Sequence, residues 1–135
     1  MKIAVIDGLG GGLGSQIVSS LKKELTNETE LIALGTNARA TSNMIENGAD
    51  HGATGENAVK VTTSMVDIIV GPLGIIIPNS MYGEITPVIA EAIADSEAKK
   101  MLIGIRQPHV EIIGTKDVSL NEMIEEVKEK VTSYL

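Results

Sequence analysis

The sequence predicts an α/β fold: a Rossmann-like, doubly wound, mostly parallel sheet, one three-layer domain over residues 1–135, with an antiparallel hairpin at one edge. Three observations carry this expectation. The apolar run Ile3–Ile6 opens directly into the glycine-rich stretch Asp7-Gly8-Leu9-Gly10-Gly11-Gly12-Leu13-Gly14-Ser15. Short β-branched runs then alternate with amphipathic segments along the rest of the chain. Near the end, two apolar runs are separated only by Arg106 to His109, too short a link for a parallel crossover.

In chain order, Lys2 to Ile6 reads as a buried first strand. From Gly12 to Leu25, Leu13, Ile17, Leu21 and Leu25 recur every four residues and form the apolar stripe of a helix. Leu31 to Leu34 is a second strand. A helix over Ala38 to Glu46 follows and stops at Asn47-Gly48, a helix-ending pair. His51 to Asn57 reads as a polar turn, with only weak signs of a brief strand before it, and a modest helix spans Glu56 to Ser64 with Thr54 or Gly55 at its cap. Val66 to Val70 is a strand closed by Gly71-Pro72. The β-branched residues Ile75 to Ile77 favour extended backbone. Asn79 to Gly83 is loop, and Thr86-Pro87 pairs an N-cap with proline at the first helical position. Met101 to Ile105 and Val110 to Ile113 form the expected hairpin. Ser119-Leu120-Asn121-Glu122 has capping-box spacing and starts a last helix carrying Met123, Ile124, Val127 and Val131 on one face.

Composition bounds the function. The formal net charge of −7 disfavours nucleic acid or an anionic membrane as partner, and with no Phe or Trp there is little to stack on bases. The absence of cysteine excludes disulfides, thiolate nucleophiles and thiolate metal sites. No signal peptide or membrane span is recognisable, so a cytoplasmic location is expected. The two histidines, His51 and His109, stand apart in sequence and form no metal-ligand spacing, so no metal site is predicted.

The glycine stretch is the candidate binding site. A strand, a glycine turn and a helix bring backbone N–H groups and a positive helix end to an anion, which is how α/β proteins hold phosphate. Asp7, Gly8, Gly10, Gly11, Gly12, Leu13 and Gly14 are its residues. Asp7 opposes a simple phosphate cradle, because a carboxylate at the strand tip repels pyrophosphate. It binds a ligand hydroxyl, holds Mg²⁺ beside phosphates, or caps the helix. After the second strand, Gly35-Thr36-Asn37-Ala38-Arg39 has no acid for a ribose diol. Thr36 and Asn37 can donate hydrogen bonds and Arg39 can clamp a 2′-phosphate, so NADP(H) is the expected cofactor, otherwise another nucleotide. The polar loops Thr54 to Asn57 and Asn79 to Glu84 follow elements of the same sheet and add Asn79 and Ser80 to the site. Glu56, Tyr82 and Glu84 are the catalytic candidates.

The glycine cluster has resemblances of its own. Gly10-x-Gly12-x-x-Ser15 resembles the NAD(P)-binding Rossmann fingerprint, with serine in the third place. Gly8-x-x-x-Gly12-x-Gly14 resembles the turn of short-chain dehydrogenases, whose Tyr-x-x-x-Lys pair is missing here: Thr86 stands four residues after Tyr82. Gly10 to Ser15 resembles the phosphate loop of tubulin-like GTPases. Across nearly the whole chain, Ile6 to Gly14, Ala33 to Ala38, Gly52 to Ala58, Gly71 to Ile76 and Asn79 to Pro87 resemble an uncharacterised family of short bacterial proteins, a domain of unknown function. That resemblance implies a Rossmann-like fold and no established activity.

Three readings follow. The first is a nucleotide-binding or sensor module, since so small a chain has no second domain to complete a substrate pocket; a homo-oligomer would supply the missing wall, with the edge near Arg106 to Val110 as a contact. The second is a small reductase or Mg-dependent nucleotide-processing enzyme using Glu56, Tyr82 or Glu84. The third is a structural or partner-binding protein whose glycine turn is only a tight connection.

Overall fold

The alternation of side chains in the first strand determines the layering. In a computed structural model that describes residues 1–135, β1 (Lys2–Asp7) sends Ile3 and Val5 to one face of the sheet and Ala4 and Ile6 to the other. All four are fully buried, so β1 is the central strand and both of its faces are covered. The chain continues through α1 (Gly12–Lys22), β2 (Glu30–Gly35), α2 (Ala38–Glu46), β3 (His51–Thr54) and α3 (Glu56–Thr62). It then passes through β4 (Ile68–Pro72), a 3-10 turn (Leu73–Ile76), α4 (Pro87–Asp95), β5 (Lys99–Ile103) and α5 (Leu120–Ser133).

The sheet order is β3-β2-β1-β4-β5, and every pairing is parallel. The order reverses between β1 and β4, so the crevice outside their carboxyl ends is the topological switch point. One apolar layer joins Ile17, Val18 and Leu21 of α1, Met44 of α2 and the Ile124, Val127 and Val131 stripe of α5. The other joins Val59 of α3 to Ile89, Ala90 and Ile93 of α4. This is the three-layer α/β sheet that the sequence predicts.

The helix signals read from the sequence have direct counterparts. Thr86 accepts a hydrogen bond from the Ile89 N–H at 3.1 Å, with Pro87 opening α4, and Ser119 accepts from Glu122 N at 3.2 Å. α2 runs from Ala38 to Glu46 as expected, capped by Asn37. α1 ends at Lys22, and Leu25 packs on the core from the following turn.

Three expectations are corrected. His51–Thr54 is not a turn but the edge strand β3, paired with Ile32–Gly35. Its largely exposed, polar and glycine-bearing sequence hides the pattern a buried strand would show. Ile75 and Ile76 belong to the 3-10 turn Leu73–Ile76 rather than to extended chain, with Ile75 buried in it, and of the three residues only Ile77 is extended.

The third correction concerns the antiparallel edge hairpin, which does not form. β5 ends at Ile103, and in the link that follows the Gln107 side chain packs against Gly74 of the 3-10 turn after β4. The only antiparallel contact is an isolated bridge from Gln107 to Val110. Beyond that bridge, Glu111–Ile113 is exposed and joins no strand.

Candidate functional site

The turn between β1 and α1 is built around Asp7. Its Oδ1 accepts from Gly8 N at 2.8 Å and its Oδ2 from Gly14 N at 2.7 Å, so the carboxylate joins the strand end to the first turn of α1. Burial raises its pKa from the usual 3.8, the two backbone hydrogen bonds oppose that rise, and the nearby Glu84 charge reinforces it. The close approach requires glycine at 14. A Cβ there would lie 2.6 Å from Met44 Sδ and 2.8 Å from Asp7 Cβ. Gly11 holds φ at 72°, and a side chain on it would meet the Ala40 backbone at 2.7 Å. α2 therefore abuts the turn directly.

The β2 side of the turn is closed by polar side chains. Asn37 Nδ2 donates to Leu9 O at 2.8 Å, and Asn43 Nδ2 donates to Gly10 O at 2.6 Å. Glu84, from the loop before α4, reaches across to this side. Its Oε1 accepts from Leu9 N at 3.0 Å, Thr36 Oγ1 at 2.5 Å and Asn37 Nδ2 at 2.7 Å. Burial raises the Glu84 pKa, but the bonds from Thr36, Asn37 and Leu9 together outweigh it and hold the group below the usual 4.5. Gly8 lies beneath this cluster: a Cβ on it would meet Thr36 Oγ1 at 2.6 Å and Met81 Sδ at 2.7 Å.

The β4 side is open. A cavity of about 760 Å³ lies between the glycine turn, residues 77–82 and residues 105–110, at the switch point of the sheet. Within the turn, Gly11 N donates to Gly8 O, Gly14 N to Asp7 and Ser15 N to Gly11 O. Gly10, Gly12 and Leu13 keep N–H groups without a partner in the chain. The five non-glycine residues with left-handed backbone, Leu9, Asn79, Met81, Tyr82 and His109, all line this cavity. Strained backbone of this kind clusters at binding and catalytic sites.

The residues singled out from the sequence separate into groups. Asp7, Gly8, Gly10, Gly11, Gly12, Leu13, Asn79, Ser80 and Tyr82 line the cavity. The Ser80 hydroxyl donates to Gly74 O, and Tyr82 is 99% exposed. Gly14 lies under the turn as a packing position. Thr36 and Asn37 bond to Glu84, on the closed side. Arg39 is exposed on α2 and forms no ion pair. Glu56 accepts from Thr86 Oγ1 at 2.6 Å and ties the start of α3 to the start of α4, away from the cavity. No cluster of three His, Asp or Glu side chains is arranged to hold a metal ion.

Sequence reading missed the wall formed by Ile105, Gln107, Pro108, His109 and Val110. A long link between β5 and α5 is the signal that could have found it, because long loops without secondary structure are commonly functional. Reading that link as a tight hairpin concealed its length.

No curated protein matches the chain. Among solved structures, it is similar to one described as a dodecameric FMN-dependent Ubix-like decarboxylase from Escherichia coli O157:H7. The TM-score is 0.44, with 14% identity over 99% of this chain and 93% of that chain. The FMN and the dodecamer are properties of that protein. A family model described as "Domain of unknown function (DUF3842)" matches residues 2–135, and the chain belongs to that family.

Proposed function

We propose that this protein is a binding module for a phosphate-bearing ligand of nucleotide class, held on the β4 side of the glycine turn. One observation carries the reading. The free N–H groups of Gly10, Gly12 and Leu13, at the positive end of α1, border a cavity of about 760 Å³ at the β1/β4 switch point. The volume lies in the range of small-molecule sites. The apolar side chains Ile77, Pro78, Ile105 and Val110 along its wall suit the flat part of a nucleotide.

The closed β2 side bears on which nucleotide fits. A dinucleotide in the Rossmann manner places its adenosine ribose at the end of β2. There, Thr36 and Asn37 already donate to Glu84. NADP(H), the ligand favoured by Thr36, Asn37 and Arg39 in the sequence, would have to displace the Glu84 carboxylate. A mononucleotide lying toward β4 leaves that cluster intact.

Calorimetric melting with inorganic phosphate, AMP, FMN, GTP, NADH and NADPH, each with and without Mg²⁺, tests the reading. A ligand at a hundredfold excess over its Kd stabilises by about 2.7 kcal/mol. The expected result is a shift with a mononucleotide that does not need Mg²⁺. A shift with NADPH alone would move the site to the β2 side, and no shift with any ligand would leave the turn a structural connection.

A further inference from the structure

The outer edge of β5 has no strand beside it in the chain, and the segment Val110–Ile113 joins no strand, its one backbone link being the Val110 bridge to Gln107. Lys99 N donates to Asp67 O on the β4 side. Strand alternation then points the N–H and C=O groups of Lys100 and Leu102 outward from the sheet. Residues 108–117 are exposed without a break, and no backbone N–H from Glu111 to Val118 donates within the chain. Yet Val110-Glu111-Ile112-Ile113 is rich in β-branched residues, and Ile113 is 86% exposed. Such a segment beside an open edge is a template for strand pairing.

The groove along that edge has a definite chemistry. It measures about 690 Å³ and runs between β5, residues 115–118 and α5. Lys99, Lys100, Lys116 and Lys130 line it, four of the 11 basic residues in a chain of net charge −7. Lys100 Nζ donates to Ser96 O, and Lys130 approaches Glu126 at 3.9 Å. Lys99 and Lys116 form no ion pair. Leu102, Met123 and Val127 provide apolar surface between the lysines. An extended strand with apolar residues and one carboxylate would match this groove, and Val110–Ile113 with Glu111 has the composition of such a strand.

Within one chain Val110–Ile113 makes no ladder with β5, whose only strand neighbour is β4. We infer that Val110–Ile113 of a second copy of this chain pairs with the outer edge of β5, and that two copies exchange these strands reciprocally in a twofold dimer. Glu111 of each copy then faces the Lys99 and Lys116 charges of the other. Residues 105–110, which wall the ligand cavity, become fixed at both ends. The inference does not depend on the ligand reading, since it rests on the β5 edge and not on the glycine turn.

Sedimentation equilibrium of the full chain from 1 µM to 500 µM tests it, alongside two variants. Lys100→Pro removes an outward N–H that bonds to nothing in the chain, and proline is tolerated at such edge positions. Ile113→Lys places a charge on a side chain that is almost wholly exposed. The expected result is a wild-type mass approaching twice the 14.2 kDa chain and at least a tenfold weaker dimer in each variant, with unchanged circular dichroism. If Lys100→Pro does not fold, Ile113→Lys decides alone. A wild-type monomer throughout the range, or a dimer that Ile113→Lys leaves intact, overturns the proposal.

Discussion

Replacing Glu84 by alanine removes the acceptor shared by Leu9 N, Thr36 Oγ1 and Asn37 Nδ2 and leaves the glycine turn joined to the β4–α4 loop by packing alone. Hydrogen bonds to a charged acceptor contribute about 1.5–3 kcal/mol each when buried. Glu84 is only half-buried, so water re-forms part of what is lost. A net loss of about 2 kcal/mol for the three bonds together follows. At roughly 3–4 °C per kcal/mol for a chain of this size, Tm falls by about 6–8 °C. Glu84→Gln keeps an acceptor oxygen and loses the charge, and falls by about half as much.

The dependence on pH has a definite sign. Glu84 has a usual pKa of 4.5, and its folded value is lower. The stability it contributes is therefore fully present above pH 4.5 and is lost as pH falls through the folded value. Wild type and Glu84→Gln should differ at pH 7 and converge in acid. Calorimetric Tm from pH 3 to 8 is the assay. A difference below 1 °C at pH 7, or one that persists unchanged at pH 3, would refute the seating of Glu84 on three donors.

Asp7→Ala leaves the buried N–H groups of Gly8 and Gly14 without acceptors and should destabilise by about 2–4 kcal/mol, read by urea denaturation. The Asp7 carboxyl should titrate above 3.8 by carbon NMR; because the folded value is raised, Asp7 withdraws stability as pH rises through the window above 3.8, the opposite sense to Glu84. Gly14→Ala inserts a methyl group against Met44 Sδ and Asp7 Cβ, and a loss of about 1–3 kcal/mol is expected in the same denaturation assay. Arg39→Ala touches no partner and should leave stability within about 0.5 kcal/mol of wild type.

Local signals were legible in the sequence and non-local ones were not. The Ile3–Ile6 run, the Ala38–Glu46 helix and the Thr86-Pro87 start depend on patterns within a few residues, and each has its counterpart in the structure. The edge strand β3 was obscured because pairing with β2, rather than its own exposed side chains, makes it extended. Val110–Ile113 has the composition of a strand, but composition cannot supply a partner edge, and the link after β5 makes only the Gln107–Val110 bridge.

In the candidate site, the glycine turn was visible as a motif, but the direction in which it opens was not. That direction depends on Glu84, 48 residues from Thr36 and 75 from Leu9, closing one side. It also depends on residues 105–110 bordering the other. The sequence left Asp7 open among three roles; the two N–H groups it accepts from show it joining the strand end to the helix.

The central claim is that the ligand face of the glycine turn opens toward β4. Amide chemical-shift mapping during titration with a mononucleotide or inorganic phosphate tests it most directly. The account predicts saturable shifts at Gly10, Gly12 and Leu13 and in residues 79–82 and 107–110, with Thr36 to Asn43 unmoved. Shifts concentrated at Thr36, Asn37 and Arg39, or none at the turn with any phosphate-bearing ligand, would contradict it.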